Sequence, residues 1–156
     1  TIFTDAEYGD FAVEREIQLP PGRNNGLAIR YPGEGDTAYV GMCELQVLDS
    51  EHPKYAQLDP RQHHGSAYGQ VAAHRGYLRP AGEWKHQRVT VVGPRITVEL
   101  NGTRILDADL SPTTEFMYEP EKFAGRGRQR GHFGLAGHND PVRYRRLRIR
   151  GLDDAR

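Results

Sequence analysis

Two polar side chains interrupt a strand pattern in residues 41–49, GMCELQVLD. Glu44 and Gln46 alternate there with Leu45 and Val47, so a strand would bury the two apolar residues and turn the two polar ones to its other face. A carboxylate can serve as a base, an acid or a metal ligand, and an amide can orient a hydroxyl group. The pattern therefore predicts a sheet face that binds a polar ligand.

The same alternation adds one cation and two imidazoles to that face. His132 and His138 share a parity in a glycine-rich strand pattern, and Arg30 has the outward parity in another. An imidazole titrates near pH 6.5 and suits proton transfer, whereas a guanidinium suits the stabilisation of developing negative charge. Simpler interpretations stay open: Arg30 pairs with Glu44 across adjacent strands, and either histidine is a bystander.

The long segments 49–85 and 111–130 lack periodicity, and such segments often form the rim of a binding cleft. His64 and Tyr68 in the first of them are candidate ligand contacts, with solvated loop residues as the alternative. Glu16 is a further candidate, because it or Glu14 would complete a carboxylate pair with Glu44 at about 5 to 9.5 Å if their strands adjoin. A divalent metal ion, if one binds, would be held by Glu44 and His138.

Alternation with period two dominates the chain, whereas helical apolar spacing is not sustained anywhere. We therefore predict an all-β fold of two packed antiparallel sheets. The predicted strands are residues 10–19, 25–30, 39–48, 86–92, 95–100, 103–109, 131–137 and 142–150. Asn101-Gly102 predicts a tight hairpin over residues 95–109.

The 156 residues suit a single domain over residues 1–156, and 21 basic residues balance 21 acidic ones. This balance argues against a nucleic-acid partner, and no apolar run approaches the roughly 20 residues of a membrane-spanning helix. We expect Arg148 and Arg150 to alternate with buried Leu147 and Ile149 on an outer sheet face. The single cysteine, Cys43, is predicted to be buried and inert.

Five segments in order resemble the DUF1080 family, the 3-keto-disaccharide hydrolase domain, over about residues 8–152. They are NNGLAIR, GMCELQVLDS, GSAYG, PAGEWKHQRVTVVGPRITVELNGTRILDADL and GHFGLAGHNDPVRYRRLRIRGL. The resemblance implies a concanavalin A-like jelly roll of the laminarinase or LamG type, with the ligand cleft on its concave sheet. It also implies an exported protein, periplasmic or secreted, that acts on an oxidised oligosaccharide or glycoside.

A ketone at C3 of a sugar acidifies the C2 proton, so the group at C1 can leave by elimination and water can then add. This chemistry needs a base near C2, an acid near the glycosidic oxygen and a donor at the C3 oxygen. His138, His132 and Glu44 are candidates for the base and the acid, Arg30 for the C3 oxygen, and Gln46 for a sugar hydroxyl. A non-catalytic carbohydrate-binding module on the same fold is the alternative.

The chain departs from the family pattern in two respects. Family members usually carry a further stretch before the position of Thr1, so we expect this chain to lack the usual N-terminal strand, either by processing or because a second chain completes it. Ala136 and the Lys85-His86 pair stand where the family often has Gln and Asn, which leaves the substrate contacts, the linkage and the leaving group open.

Overall fold

Two antiparallel sheets form the fold in the computed structural model, which describes residues 1–153. The strands are β1 (Ile2–Tyr8), β2 (Phe11–Gln18), β3 (Asn24–Tyr31), β4 (Cys43–Leu48), β5 (Trp84–Val92), β6 (Arg95–Leu100), β7 (Thr103–Asp109), β8 (Gly131–Gly137) and β9 (Arg143–Gly151). One sheet has the order β1-β8-β3-β4 and the other the order β7-β6-β5-β2-β9. Three short 3-10 helices lie in the loops, at Pro53–Tyr55, Pro60–Gln62 and Pro120–Lys122. The all-β prediction is confirmed.

Each of the eight predicted strands is present, and β1 is a strand that the sequence pattern did not reveal. Its residues are mostly exposed on both faces, so they show no alternation of apolar and polar positions. β1 forms the edge of the four-stranded sheet and pairs with β8 through Phe3 and Glu7. Ile2 is 77% exposed at this edge. The prediction that a second chain pairs there stays a prediction.

The core lies between the two sheets and is built by alternate residues of each strand, as expected for a sandwich. The five-stranded sheet contributes Phe11, Val13, Ile17, Val89, Val91, Ile96 and Val98, all fully buried. The four-stranded sheet contributes Leu27, Ile29, Leu45, Val47 and Phe133. This arrangement leaves the other face of the four-stranded sheet free to carry polar side chains.

The Asn101-Gly102 turn and the Cys43 thiol lie where the sequence predicts them. Asn101 and Gly102 both have positive φ, 50° and 85°, as the tight hairpin between β6 and β7 requires. Asp49 follows β4 and accepts a hydrogen bond from the backbone N–H of Gly22 at 2.8 Å, so it stabilises the turn between β2 and β3. Cys43 is fully buried, and burial raises the pKa of its thiol to about 12, so the thiol stays protonated and unreactive.

The prediction for β9 is correct for the arginines and wrong for Leu147. Arg148 and Arg150 are exposed on the outer face, but Leu147 is also 44% exposed. The cause is a bulge: the pairing with β2 shifts register between Glu14 and Glu16, and Arg146 has φ +53°. Within residues 1–153, no helix has the length and apolar character needed to cross a membrane.

Candidate functional site

A cavity of about 390 Å³ opens on the face of the four-stranded sheet that points away from the core. This volume lies within the usual range of small-molecule sites. The sheet supplies the floor, and the segments around residues 35–39 and 55–68 supply the walls. The lining includes Thr1, Asn24, Thr37, Tyr39, Glu44, Gln46, Tyr55, Leu58, Gln62, Tyr68, Ala136, Gly137 and His138.

Glu44 is held in this pocket by the small residues of β3. It pairs across the sheet with Ala28, and its side chain lies over Gly26, two residues along β3. A Cβ atom at position 26 would stand 2.5 Å from Cδ of Glu44, well inside van der Waals contact. Glycine at this position therefore creates the space that the Glu44 side chain occupies.

Both carboxylate oxygens of Glu44 have a partner. The hydroxyl of Thr37 donates to Oε2 at 2.6 Å, and Nε2 of His138 lies 3.4 Å from Oε1. The Glu44 side chain is 5% exposed and that of His138 43% exposed, so the imidazole sits between the buried carboxylate and solvent. The hydrogen bond with Glu44 raises the pKa of His138, because the carboxylate favours the charged imidazolium. The pair therefore combines a base and an acid.

Two amide oxygens on the pocket floor have no hydrogen-bond partner among residues 1–153. Gln46 donates its Nε2 to the carbonyl of Gln62 at 2.9 Å, which leaves Oε1 as an unused acceptor. Oδ1 of Asn24 is buried without a partner as well. Buried acceptors without donors are costly. The floor therefore favours a ligand that brings several O–H donors.

Tyrosine side chains from the two loop segments line the walls of the pocket. Burial raises the pKa of Tyr68 to about 12 and also raises that of Tyr39. Both phenols stay protonated near neutral pH and can donate a hydrogen bond. Gln62 Nε2 lies 3.4 Å from the Tyr68 oxygen. Rings beside a polar floor suit a sugar, which has an apolar ring face and hydroxyl groups at its edge.

Four of the eight residues that the sequence singled out line this one pocket: Glu44, Gln46, His138 and Tyr68. Sequence reasoning missed Thr37, Asn24 and Gln62. Thr37 and Gln62 lie in loops without periodicity, and Asn24 comes one residue before the predicted strand 25–30, although it belongs to β3. Only the pairing of distant segments brings them to the sheet.

The expectation that Arg30 shares the face of Glu44 is wrong. The pairing of β3 with β8 shifts register between Ala28 and Tyr31, and Arg30 has φ +51°, so the alternation reverses at this bulge. The buried guanidinium instead meets the turn between β1 and β2, the turn between β5 and β6 and the loop before β8. It donates to the carbonyl groups of Gly9, Gly93 and Arg128 at 2.9, 2.8 and 3.0 Å, and to Asp10 at 3.2 Å. Arg30 therefore links these chain segments through its hydrogen bonds.

His64, Glu16 and His132 also lie outside the pocket. His64 is buried between the sheets, where Nδ1 accepts from the N–H of Leu48 at 3.1 Å, and burial lowers its pKa to about 3. Glu16 belongs to β2 in the other sheet and accepts from Arg145 at 2.6 Å, so it cannot form a carboxylate pair with Glu44. His132 is on the same sheet as Glu44 but at the side of β1, where Nδ1 lies 2.7 Å from the carbonyl of Thr4.

The described residues do not make a metal site of their own around Glu44 and His138. These two side chains are adjacent donors, but in residues 1–153 no group of three His, Cys, Asp or Glu side chains is arranged to hold a metal ion. Protein zinc sites take three or four protein ligands. We therefore derive no chemical step through a metal.

The family model of the 3-keto-alpha-glucoside-1,2-lyase-like domain matches residues 1–150. The chain belongs to this family. A 3-keto-disaccharide hydrolase of Bacteroides thetaiotaomicron is 24% identical to this chain over an alignment of 174 residues, which covers 94% of the chain. The chain spans 60% of the length of that relative.

Solved structures support the jelly-roll architecture of this chain. A protein of Parabacteroides distasonis, described as a candidate glycosyl hydrolase, superposes with a TM-score of 0.81 at 25% identity, over 96% of this chain and 82% of that one. The carbohydrate-binding module CBM66 of Bacillus subtilis superposes with a TM-score of 0.58 at 15% identity, over 96% and 80% of the two chains. The second likeness concerns the fold alone. The predicted fold class and the predicted family are confirmed.

Proposed function

We propose that this domain cleaves 3-keto-glycosides by removing the proton at C2 and expelling the group at C1. The observation that carries the proposal is the Glu44 carboxylate, held by Thr37 and His138 on a pocket floor that offers further acceptors to hydroxyl groups. Membership of the family and the name of the Bacteroides thetaiotaomicron relative support a carbohydrate-active, glycosidase-type enzyme. The ketone substrate and the elimination step belong to the proposal.

Glu44 is assigned the role of base. Its carboxylate takes the C2 proton, and the electron pair of the C2–H bond moves onto the C3 oxygen as an enolate. Collapse of the enolate then forms the C1–C2 double bond as the bond from C1 to the leaving oxygen breaks. His138 is assigned the role of acid, and its imidazolium gives a proton to that leaving oxygen. The raised pKa of His138 suits this role, because it increases the protonated fraction near neutral pH. Addition of water across C1 and C2 then gives net hydrolysis.

Negative charge develops on the C3 oxygen while the C2 proton leaves, and this oxygen needs a donor. Arg30 does not reach the pocket, so we assign this role to the phenol of Tyr68, whose O–H stays protonated. Gln46 and Asn24 would accept from sugar hydroxyls through the two oxygens that lack protein partners.

Cleavage of matched substrates tests the proposal. The protein is incubated with a nitrophenyl 3-keto-glucoside and with the same glucoside unoxidised, and release of nitrophenol is followed. We expect release from the ketone alone, and a fall of about 10²- to 10⁴-fold in Glu44→Gln and His138→Gln. Equal release from both substrates would exclude the elimination route, and no release from any ketone tested would exclude the enzyme.

A carbohydrate-binding module is the second candidate, because unpartnered acceptors and an aromatic wall bind a sugar without any reaction. A module would bind the unoxidised glycan and tolerate His138→Ala. Calorimetric titration with unoxidised disaccharides separates the two. Following the family resemblance, we further propose a periplasmic or secreted location, which cell fractionation tests.

A further inference from the structure

Arg15 is a fully buried charged residue in the middle of β2, on the face that points between the sheets. None of its three guanidinium nitrogens has a hydrogen-bond partner among residues 1–153. Burial lowers the pKa of Arg15 to about 10, so the guanidinium still carries its charge at neutral pH. The neighbours Glu14 and Glu16 project to the opposite face of the sheet, where they meet Arg88 and Arg145.

Gln87 lies directly opposite Arg15 on the adjacent strand β5 and is also fully buried. The orientation of its amide follows from His64. The N–H of Leu48 donates to Nδ1 of His64, so the ring proton is on Nε2 and donates to Oε1 of Gln87 at 3.1 Å. The amide nitrogen of Gln87 is therefore the atom left without a partner. Every unpartnered atom of this pair is a donor.

Within residues 1–153, no carboxylate makes a hydrogen bond with the Arg15 guanidinium. His64 is neutral, since burial and then the charge of Arg15 lower its pKa to about 3. Lys85 donates to the carbonyls of Pro80 and Glu83, and the Asp49 carboxylate acts on Lys85. The phenol of Tyr144 keeps its proton, because burial raises its pKa to about 12, and it donates to Asn25 at 2.6 Å. Buried charges in proteins are otherwise paired, because an isolated one is strongly destabilising.

We propose that a small monovalent anion of the halide class binds between the sheets at Arg15 and Gln87. Such an ion accepts several N–H groups at once and balances the guanidinium charge, whereas a water molecule would supply an acceptor without a charge. The site lies on the core side of the five-stranded sheet. It is separate from the pocket of Glu44, so it does not rest on the proposed function.

Stability in matched salts tests this site. The protein is unfolded and refolded in sodium chloride, sodium bromide or sodium gluconate at one ionic strength, and its melting temperature is measured. Gluconate is too large to be enclosed. We expect the melting temperature to rise with halide concentration. The rise should be about 3–5 °C when the halide is at about ten times its dissociation constant. Equal melting temperatures in chloride and gluconate would overturn the proposal.

Two variants and a control assign the effect to these residues. Gln87→Glu places a carboxylate opposite Arg15 and should make stability independent of halide, and Arg15→Met should do the same by removing the charge. Arg148→Gln, on the exposed face of β9, should keep the full halide dependence. Halide dependence that persists in both variants would place the ion elsewhere and overturn the proposal.

Crystals of the unmodified protein grown in bromide give a direct readout that does not depend on the folding of any variant. We expect an anomalous bromide peak within hydrogen-bond distance of the Arg15 guanidinium. Ordered water alone at that position would overturn the assignment.

Discussion

Gly26 is the residue whose replacement tests the geometry of the Glu44 pocket most simply. In Gly26→Ala, the new Cβ would lie 2.5 Å from Cδ and 2.6 Å from Cγ of Glu44. Carbon atoms that are not bonded to each other approach to about 3.5 Å. The Glu44 side chain must therefore move by about 1 Å and lose its position between Thr37 and His138.

The energetic effect follows from the contacts that this movement breaks. The hydrogen bond from Thr37 to the Glu44 carboxylate is 2.6 Å long, and a hydrogen bond to a charged group contributes about 1.5–3 kcal/mol. Alanine in a strand recovers about 0.5–1 kcal/mol relative to glycine. We expect Gly26→Ala to lower the free energy of unfolding by about 1–2 kcal/mol, measured by urea denaturation.

Two further measurements follow the Glu44–His138 pair itself. Because Glu44 raises the pKa of His138, displacing the carboxylate should return that pKa towards the ordinary value of about 6.5, as seen by NMR titration of the imidazole. Cleavage of a 3-keto-glycoside should fall about 10²-fold, since displacement of a catalytic group by about 1 Å has an effect of that size.

Gly137→Ala is the matched control. Gly137 also lines the pocket, but its added Cβ would have no atom within 4 Å, and its φ is not in the left-handed region. This variant should keep the wild-type stability and the raised pKa of His138. If Gly26→Ala and Gly137→Ala share the same His138 titration and the same activity, Glu44 does not depend on Gly26 and the pocket geometry is wrong.

Three other changes have definite expected outcomes. Thr37→Val should lower the free energy of unfolding, measured by urea denaturation, by about 1.5–3 kcal/mol, because it removes one hydrogen bond to the Glu44 carboxylate. The initial rate of cleavage should fall less than it does in Glu44→Gln, because the carboxylate is still present. Arg30→Met should destabilise the protein by about 3–5 kcal/mol without changing the rate per folded molecule, since Arg30 joins chain segments outside the pocket; a large fall in that rate at full folding would contradict its structural role. A histidine with a raised pKa adds stability that is fully present below its unfolded pKa of about 6.5 and is lost as pH rises through the raised folded value. As pH rises from about 6.5 through the raised pKa of His138, the free energy of unfolding of the wild type should fall relative to that of Glu44→Gln. If the free energy of unfolding changes with pH in the same way in both proteins, Glu44 and His138 do not form an ion pair.

Local sequence pattern was sufficient for most of the sheet framework. Alternation locates the strands from β2 to β9, and Asn101-Gly102 locates one hairpin, because both are properties of neighbouring residues. β1 escaped detection since an edge strand exposed on both faces has no apolar alternation. Leu147 is exposed because a bulge at Arg146 changes the register, and bulges depend on pairing with another strand.

The candidate site was predictable to the extent that it depends on strand parity. Parity placed Glu44 and Gln46 on the same face, and both line the pocket with His138. It failed for Arg30, where the bulge in β3 reverses the alternation and directs the guanidinium to the turns after β1 and β5. It also gave no information on His64, whose burial is decided by the packing of a long loop between the sheets.

Deuterium incorporation during cleavage of a 3-keto-glycoside in D₂O tests the central claim most directly. If Glu44 removes the C2 proton, NMR of the released sugar should show deuterium at C2, while C4, which the ketone also activates, gains none beyond the enzyme-free background. Glu44→Gln should lose both the cleavage and the C2 label. A cleaved product that retains its C2 proton would show direct displacement at C1 and would contradict the proposed mechanism.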